Sequence, residues 1–325
     1  MAYSGAVLQR ARERLEQARE IARNEANERL EKAYADCPRL REVDLALQRT
    51  MAQTVAAALA SGSDPREAIE RIKKENQNLQ AERSWLLQTL ELEDDDFDPQ
   101  SVCELCGGTG YVGSAMCECL RELCRQEQKR ELSSLLDGRE SFDGFRLELY
   151  PESPDPKLGV SCRRVMKSVR DRCFDYARAF RTDSPNLLFS GGTGLGKTFL
   201  SACIARTVAE GGFSVVYDTA GKLFSDFEAA KFQTSEQTQA RTTKYLDCDL
   251  LIIDDLGTEM TTQFTQSALY QVVNTRLMAA RPVIISTNLS PTELEDRYSP
   301  QIVSRLLGSY ELLTFCGNDI RLLRK

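Results

Sequence analysis

The chain of 325 residues contains no histidine. Every mechanism that rests on a histidine base is therefore excluded, and any zinc site must be built from sulfur or carboxylate. Long apolar runs are missing as well. No stretch approaches the roughly 18 residues of a membrane-spanning helix, and the N-terminus, MAYSGAVLQRARERLEQ, is charged within its first turns and has no signal-peptide core. The expectation is a soluble, cytoplasmic protein with no membrane partner. An excess of positive charge is also absent. The net charge of −7 speaks against nucleic acid at first sight, but six acids, Glu91, Glu93, Asp94, Asp95, Asp96 and Asp98, sit in one short run, and without them the chain is close to neutral. A local basic groove is neither excluded nor indicated.

Cysteine, by contrast, is plentiful, with eleven in the chain. In the absence of an export signal, a reducing compartment favours free thiols or metal ligands over disulfides. Cys103-Glu-Leu-Cys106 and Cys117-Glu-Cys119 flank a turn containing Gly107, Gly108 and Gly110. Two pairs, each presenting both sulfurs to one point, suit a tetrahedral four-thiolate Zn2+ site, and the glycines let the backbone turn and aim amides at the sulfurs. The second pair and the lack of a preceding strand argue against a redox Cys-x-x-Cys. Cys124 competes with Cys119 as fourth ligand, and an iron-sulfur cluster competes with zinc because both take thiolates.

The length predicts more than one domain. Residues 4–90 lack strand patterning and are rich in strong helix formers. Leu8, Ala11, Leu15, Ala18, Ala22, Ala26, Leu30 and Ala33 recur at helical spacing as one narrow apolar stripe, and Cys37-Pro38 ends that helix. A second helix covers about 40–60 and stops at Ser61-Gly62. A third opens with Asp64 as cap, Pro65 at the first helical position and Glu67 closing a capping box. Its stripe is Ile69, Ile72, Asn76, Leu79, Arg83, Leu86 and Leu90. Polar Asn76 and Arg83 on this seam fit a partner-specifying interface; the alternative is a bundle that packs only on its own chain. The acidic run with Asp98-Pro99 reads as a linker.

From Asn186 onward, short apolar runs alternate with longer helical stretches, the mark of a parallel α/β sheet. A strand, Asn186 to Ser190, leads into Gly191, Gly192, Thr193, Gly194, Leu195, Gly196, Lys197 and Thr198, and then into a helix over 199–210. This strand-loop-helix order is that of a phosphate-binding loop for ATP. Backbone N–H groups converge on the phosphates and the helix N-terminus adds its dipole, while Lys197 reaches the β- and γ-phosphates and Thr198 ligates Mg2+. Four apolar residues then carry Asp254 to the C-terminal edge of a second strand, as a Mg2+ ligand through water, and Asp255 follows as the candidate base for the attacking water. A further strand ends at Asn288, placed to orient that water or sense the γ-phosphate; a plain strand-end cap is the alternative reading.

The phrases NLLFSGGTGLGKTFL, DLLIIDDLGTE, IISTNLSPTEL and YSPQIVSRLLG together resemble the AAA+ ATPases, and among them the bacterial replicative helicase loaders of the DnaC and DnaI type, phage relatives included. The resemblance covers about 142–321. The cysteine motif is similar to the zinc module that precedes the ATPase in Gram-positive members, while the helical N-terminus matches less well. What the resemblance implies is a five-stranded parallel AAA+ sheet with a reduced lid. Gly191 to Thr198 then correspond to Walker A, Asp254 and Asp255 to Walker B, Asn288 to sensor 1, Arg305 to the arginine finger and Arg321 to sensor 2. An arginine finger completes a neighbouring subunit's site, which implies an ATP-dependent homo-oligomer; for Arg305 the bland alternative is a surface ion pair. Most AAA+ enzymes carry Glu where Asp255 stands, and the shorter acid predicts hydrolysis slower than about 1 per second without a partner.

The domains expected are a helical partner-binding region over 1–92, an acidic linker with the zinc module over 93–135, and the AAA+ ATPase over 136–325. The function implied is that of a loader in replication initiation or restart, which grips a DnaB-type ring helicase through its N-terminal region and places it on single-stranded DNA. Two other readings compete: a transposition helper ATPase of the IstB type, and a non-hydrolysing adaptor that binds nucleotide for stability alone.

Overall fold

The computed structural model describes residues 3–59, 66–135, 140–156, 159–232 and 236–322. The helix stop at Ser61-Gly62 and the capped start at Asp64-Pro65 lie outside the described residues. The chain divides into two compact units, one of Glu13–Cys119 and one of Met1–Arg12 with Leu120–Lys325.

The helix α1 (Gly5–Asp36), which belongs to the first unit from Glu13 onward, gives way to α2 (Pro38–Leu59) at Cys37, because a residue before proline is kept out of the helical region while proline suits the first helical position. α2 and α3 (Arg66–Thr89) lie along each other, burying Leu40, Val43, Leu86 and Leu87 with Ala33 of α1. Asn76 donates to Thr50 Oγ1 at 2.7 Å and Arg83 to Asp44 Oδ1 at 2.6 Å. The two polar seam residues are thus satisfied inside the chain, as in a bundle packed on itself. Trp85, 63% exposed, is an apolar side chain that the bundle leaves outside. The acidic run is not a free linker. Asp94–Phe97 forms a short 3-10 turn, Arg29 donates to the carbonyls of Asp96 and Asp98 at 2.7 and 3.2 Å, Arg83 pairs with Asp94, and Phe97 packs on the helical cluster. The arginines offset the repulsion that would otherwise extend the run.

The second unit is built on five parallel strands: β3 (Asn186–Ser190), β4 (Val215–Thr219), β5 (Leu250–Leu256), β6 (Val283–Thr287) and β7 (Tyr310–Thr314), in the spatial order β4-β5-β6-β3-β7. The short hairpin of β1 (Tyr111–Val112) and β2 (Ala115–Met116) belongs to the first unit. Strand residues alternate between two cores. Leu187, Phe189, Ile252 and Ile284 face α5 (Cys162–Arg178) and α6 (Lys197–Glu210), while Leu188, Leu251, Ile253 and Ile285 face the cluster containing residues of α7 (Ala220–Phe232), α9 (Gln263–Met278), α10 (Pro291–Arg297) and α11 (Pro300–Ser309). This near-continuous apolar character is what a parallel sheet covered on both faces demands.

Helices α4 (Glu118–Leu135) and α8 (Glu236–Asp247) complete the set. The Gln128 amide on α4 accepts from Val215 N–H at 2.9 Å and donates to Phe213 O at 2.8 Å, occupying backbone groups at the edge strand β4. No helix among the described residues is long and apolar enough to cross a membrane.

Candidate functional site

Ligands in open parallel sheets bind beyond the C-terminal ends of the strands, where the chain departs to opposite sides. β3 is such a place, since it lies between β6 and β7 while the next strand in sequence stands at the far edge. The loop of residues 191–196 leaves β3 there and enters α6 through Gly196, which has a φ of 90°. That left-handed conformation favours glycine, and a Cβ at Gly196 would also come within 3.0 Å of Phe145 and Tyr150. Tyr150 donates its hydroxyl to Leu195 O at 2.8 Å. The segment after β7 closes the other side: Ile320 N–H donates to Gly194 O at 3.1 Å, and a Cβ on Gly194 would collide with the Asp319 carboxylate.

A cavity of about 450 Å³ opens over this loop, lined by Thr193 to Phe199, Asp255, Asn288 and Arg321. Lys197 is 5% exposed and donates to Gly191 O at 2.6 Å, Gly192 O at 2.7 Å and Asn288 Oδ1 at 2.6 Å. Burial pushes its ammonium pKa below the ordinary lysine value, against the pull of Asp255 and Asp254. Thr198, on the first turn of α6, is exposed toward this space. Asp254 is 3% exposed and accepts from the Tyr217 hydroxyl at 2.7 Å and from the Ser286 hydroxyl.

Asp255 interrupts the strand. Ile253 pairs with Ile285 but Leu256 with Thr287, so β5 carries one residue more than β6 between these two pairs, and Asp255 has a φ of 54°. This is a β-bulge with a non-glycine residue in the left-handed region, a strained geometry of the kind that collects at functional sites. In an unbroken strand, successive side chains point to opposite faces. The bulge instead lets Asp255 line the cavity immediately after Asp254. Burial and then the neighbouring Asp254 raise the Asp255 pKa above its usual carboxylate value, against Lys197 and Arg321.

The structure therefore brings together Gly191 to Thr198, Asp254, Asp255, Asn288 and Arg321. Arg305 lies apart from the residues lining this cavity. On α11, its guanidinium stacks over the Tyr270 ring at 4.6 Å and donates to Asn274 Oδ1 and Tyr270 Oη, each at 3.0 Å. Sequence reasoning missed Tyr217, Ser286, and the small apolar cleft beside Gly196 formed by Phe145, Tyr150, Phe199 and Ile320, where the Phe145 and Tyr150 rings stack on each other.

The four-cysteine motif is also assembled. The sulfurs of Cys103, Cys106, Cys117 and Cys119 all lie within 4.8 Å of one another, with Cys103 to Cys117 at 3.8 Å and Cys106 to Cys119 at 3.5 Å. Sulfurs at the corners of a tetrahedron around zinc would stand about 3.8 Å apart, given Zn–S of about 2.3 Å. Gly107 and Gly110 take φ values of 60° and 80°, and Gly110 N–H reaches Cys106 Sγ at 3.3 Å. Burial opposes ionisation of Cys106, but the Gly110 N–H and the neighbouring thiols bring its pKa down to about 6. The donor set fits Zn2+, with Cys119 in the fourth place. Purified protein is expected to hold one zinc per chain by elemental analysis, and a strong chelator is expected to lower the melting temperature of the wild type but not of a Cys103→Ser/Cys106→Ser variant.

The loop at the C-terminal end of β3, the acids closing β5 and the polar tip of β6 on one five-stranded parallel sheet define an ATP-binding domain of the AAA+ type. Residues 172–325 match the family model described as IstB-like ATP binding protein. Among curated proteins, the chain is 25% identical over 183 residues to the replicative helicase loader DnaC of Buchnera aphidicola (subsp. Acyrthosiphon pisum), covering 56% of this chain and 69% of that protein. It is 23% identical over 163 residues to DnaC of Escherichia coli K12, covering 50% of this chain and 66% of that protein. The chain spans about two thirds of the length of the curated loaders, between 61% and 69% for three from Buchnera. Among solved structures, a crystal structure of the DnaC helicase loader matches at 19% identity and a TM-score of 0.44, over 54% of this chain and 98% of that one. The C-terminal part of the chain is thus similar in sequence to IstB-like ATP-binding proteins and to the DnaC loaders.

Proposed function

We propose that this protein is an ATP-controlled helicase loader acting in replication initiation or restart. The observation that carries the reading is a DnaC-related ATP-binding domain whose Lys197, Asp255, Asn288 and Arg321 line one cavity. In this reading, the amides of 191–196 and Lys197 would hold the ATP phosphates, Thr198 and Asp254 would hold Mg2+, which would supply charge neutralisation there, and Asp255 would take the proton of the attacking water. Asn288 and Arg321 bear on the γ-phosphate. Arg305 acts on the nucleotide of a second copy of the chain, which suits its place away from its own cavity. The first unit, with its zinc site, grips a DnaB-type ring helicase, and the ATP-bound oligomer holds single-stranded DNA. Nucleotide state then selects between partner-bound and partner-free assemblies, since a ligand shifts such an equilibrium only through its different affinity for the two states.

Lys197→Ala is expected to lower ATP hydrolysis by about 10²–10³-fold, the scale of losing one charge-stabilising donor. Hydrolysis and partner release measured side by side test the claim. A variant that hydrolyses nothing yet releases its partner normally would favour the adaptor reading. The match to an IstB-like model favours one further reading, a transposition helper. Full-length protein used as bait in the presence of ATP separates the two: recovery of the replicative helicase supports the loader, and recovery of a transposase replaces it.

A further inference from the structure

Asp254 is held by its neighbours on both sides. β5 runs between β4 and β6, and each contributes one buried hydroxyl to the same carboxylate: Tyr217 from β4 reaches Oδ2 at 2.7 Å, and Ser286 from β6 reaches Oδ1. Tyr217 is 8% exposed and Ser286 is fully buried. Tyr217 lies in register with Ile252, so its ring shares the sheet face on which Asp254 points. Ser286 has a second role. Its Oγ accepts the Asp255 backbone N–H at 3.0 Å, so a relay runs from the Asp255 amide through the serine hydroxyl to the Asp254 carboxylate. One serine on β6 therefore ties both the acid and the bulge that carries the next acid.

We propose that Tyr217 and Ser286 are positioning residues of the nucleotide site, a two-hydroxyl clamp that fixes the aim of the Asp254 carboxylate and, through Ser286, the bulge at Asp255. The proposal rests on the reading of Asp254 as the residue that meets the Mg2+ of bound ATP. A carboxylate has about four acceptor positions on its two oxygens. The clamp uses one on each oxygen and leaves one on each for a further ligand. Locking the rotamer beforehand removes the conformational cost that a freely rotating carboxylate would incur on meeting a metal, the part that outer hydrogen bonds play at metal sites. Without such a role, both hydroxyls would be no more than satisfied core groups, and their loss would reduce stability alone.

The test uses full-length protein, a non-hydrolysable ATP analogue, and Mn2+ in place of Mg2+, with bound Mn2+ read by electron paramagnetic resonance. Tyr217→Phe keeps the ring and removes the hydroxyl. It is expected to weaken Mn2+ binding in the ternary complex by about 10-fold or more, the range seen when outer hydrogen bonds at metal sites are removed. Analogue affinity in EDTA should be unchanged. Ser286→Ala should weaken Mn2+ binding as much and lower hydrolysis further, while Ser286→Thr, which keeps a hydroxyl, should restore both. In an Asp254→Asn background, Tyr217→Phe should cause no additional loss, because the clamp has no carboxylate left to aim. Wild-type Mn2+ affinity in Tyr217→Phe and Ser286→Ala, with Asp254→Asn impaired, overturns the clamp and leaves the site reading standing. A wild-type protein whose analogue affinity ignores Mn2+, or an Asp254→Asn variant that binds Mn2+ normally, overturns the site reading and the clamp with it.

Discussion

Replacing Asp255 by asparagine is expected to abolish hydrolysis while leaving ATP bound and the protein at least as stable. The loss should reach about 10²–10⁴-fold, the range for a positioned general base. Binding should survive because the proposed phosphate contacts are those of the 191–196 loop and Lys197, not Asp255. Stability should hold or rise because burial and the neighbouring Asp254 both disfavour the charged form of Asp255, and because asparagine tolerates its φ of 54°. The sign with pH follows from the raised pKa. The carboxylate needed as base is lost as pH falls through a value above the ordinary aspartate pKa of about 3.9, so the wild-type rate should decline at less acidic pH than an exposed aspartate would allow. Stability has the opposite slope: a charged Asp255 disfavours the fold above that pKa and the penalty is relieved below it. Rate profiles and melting curves of wild type and Asp255→Asn across pH check both. A variant that loses affinity together with rate would contradict the assignment. The same φ gives a structural reason for an aspartate where glutamate is usual, since the left-handed region accepts Asp more readily than Glu.

Replacing Arg276 by methionine is expected to cause the largest loss of stability of any single change considered. Arg276 is fully buried, and its guanidinium donates to Tyr245 O and Cys248 O at 3.0 Å, Pro282 O at 2.7 Å, Leu246 O at 3.3 Å and Asp249 O at 3.4 Å. One cation thus closes the C-terminal end of α8, where helix carbonyls lack partners and the dipole is negative, and ties it to the starts of β5 and β6. Methionine fills much of the volume but strands these carbonyls in the core. Breaking a buried charged network costs about 3–5 kcal/mol, which for a domain of this size lowers the melting temperature by roughly 6–20 °C. Lysine keeps the charge without the planar fork and should fall between the two. A shift under about 2 °C for Arg276→Met would show that the carbonyls find other partners.

Much of the ATP site was legible because it is local. A strand, a glycine-rich turn and a helix follow one another over 186–210, and four apolar residues before Asp254 announce the strand that carries it. The parts that escaped depend on partners distant in sequence. The bulge at Asp255 is a register shift against β6, stabilised by a serine 31 positions away. Tyr217 reads as an ordinary core residue of an apolar strand, and only the fold puts its hydroxyl on Asp254. Arg276 reads as a cation at a helix end, with nothing local to show that it is buried. The polar seam left an outside partner and a self-packed bundle both open, because Thr50 and Asp44, which meet Asn76 and Arg83, stand 26 and 39 positions away. The acidic run, read as a linker from its charge and Asp98-Pro99, is tied down by Arg83 from the preceding helix and by Arg29 from α1, 67 positions before Asp96.

Control by ATP of this protein's hold on a ring helicase is tested most directly by mixing the full-length chain with a DnaB-type helicase from the same cell and following the complex by light scattering after size exclusion. The expected result is a complex in ATP that dissolves on hydrolysis for the wild type and persists for Asp255→Asn. No complex in any nucleotide state, or one of equal strength in ATP, ADP and no nucleotide, would contradict it.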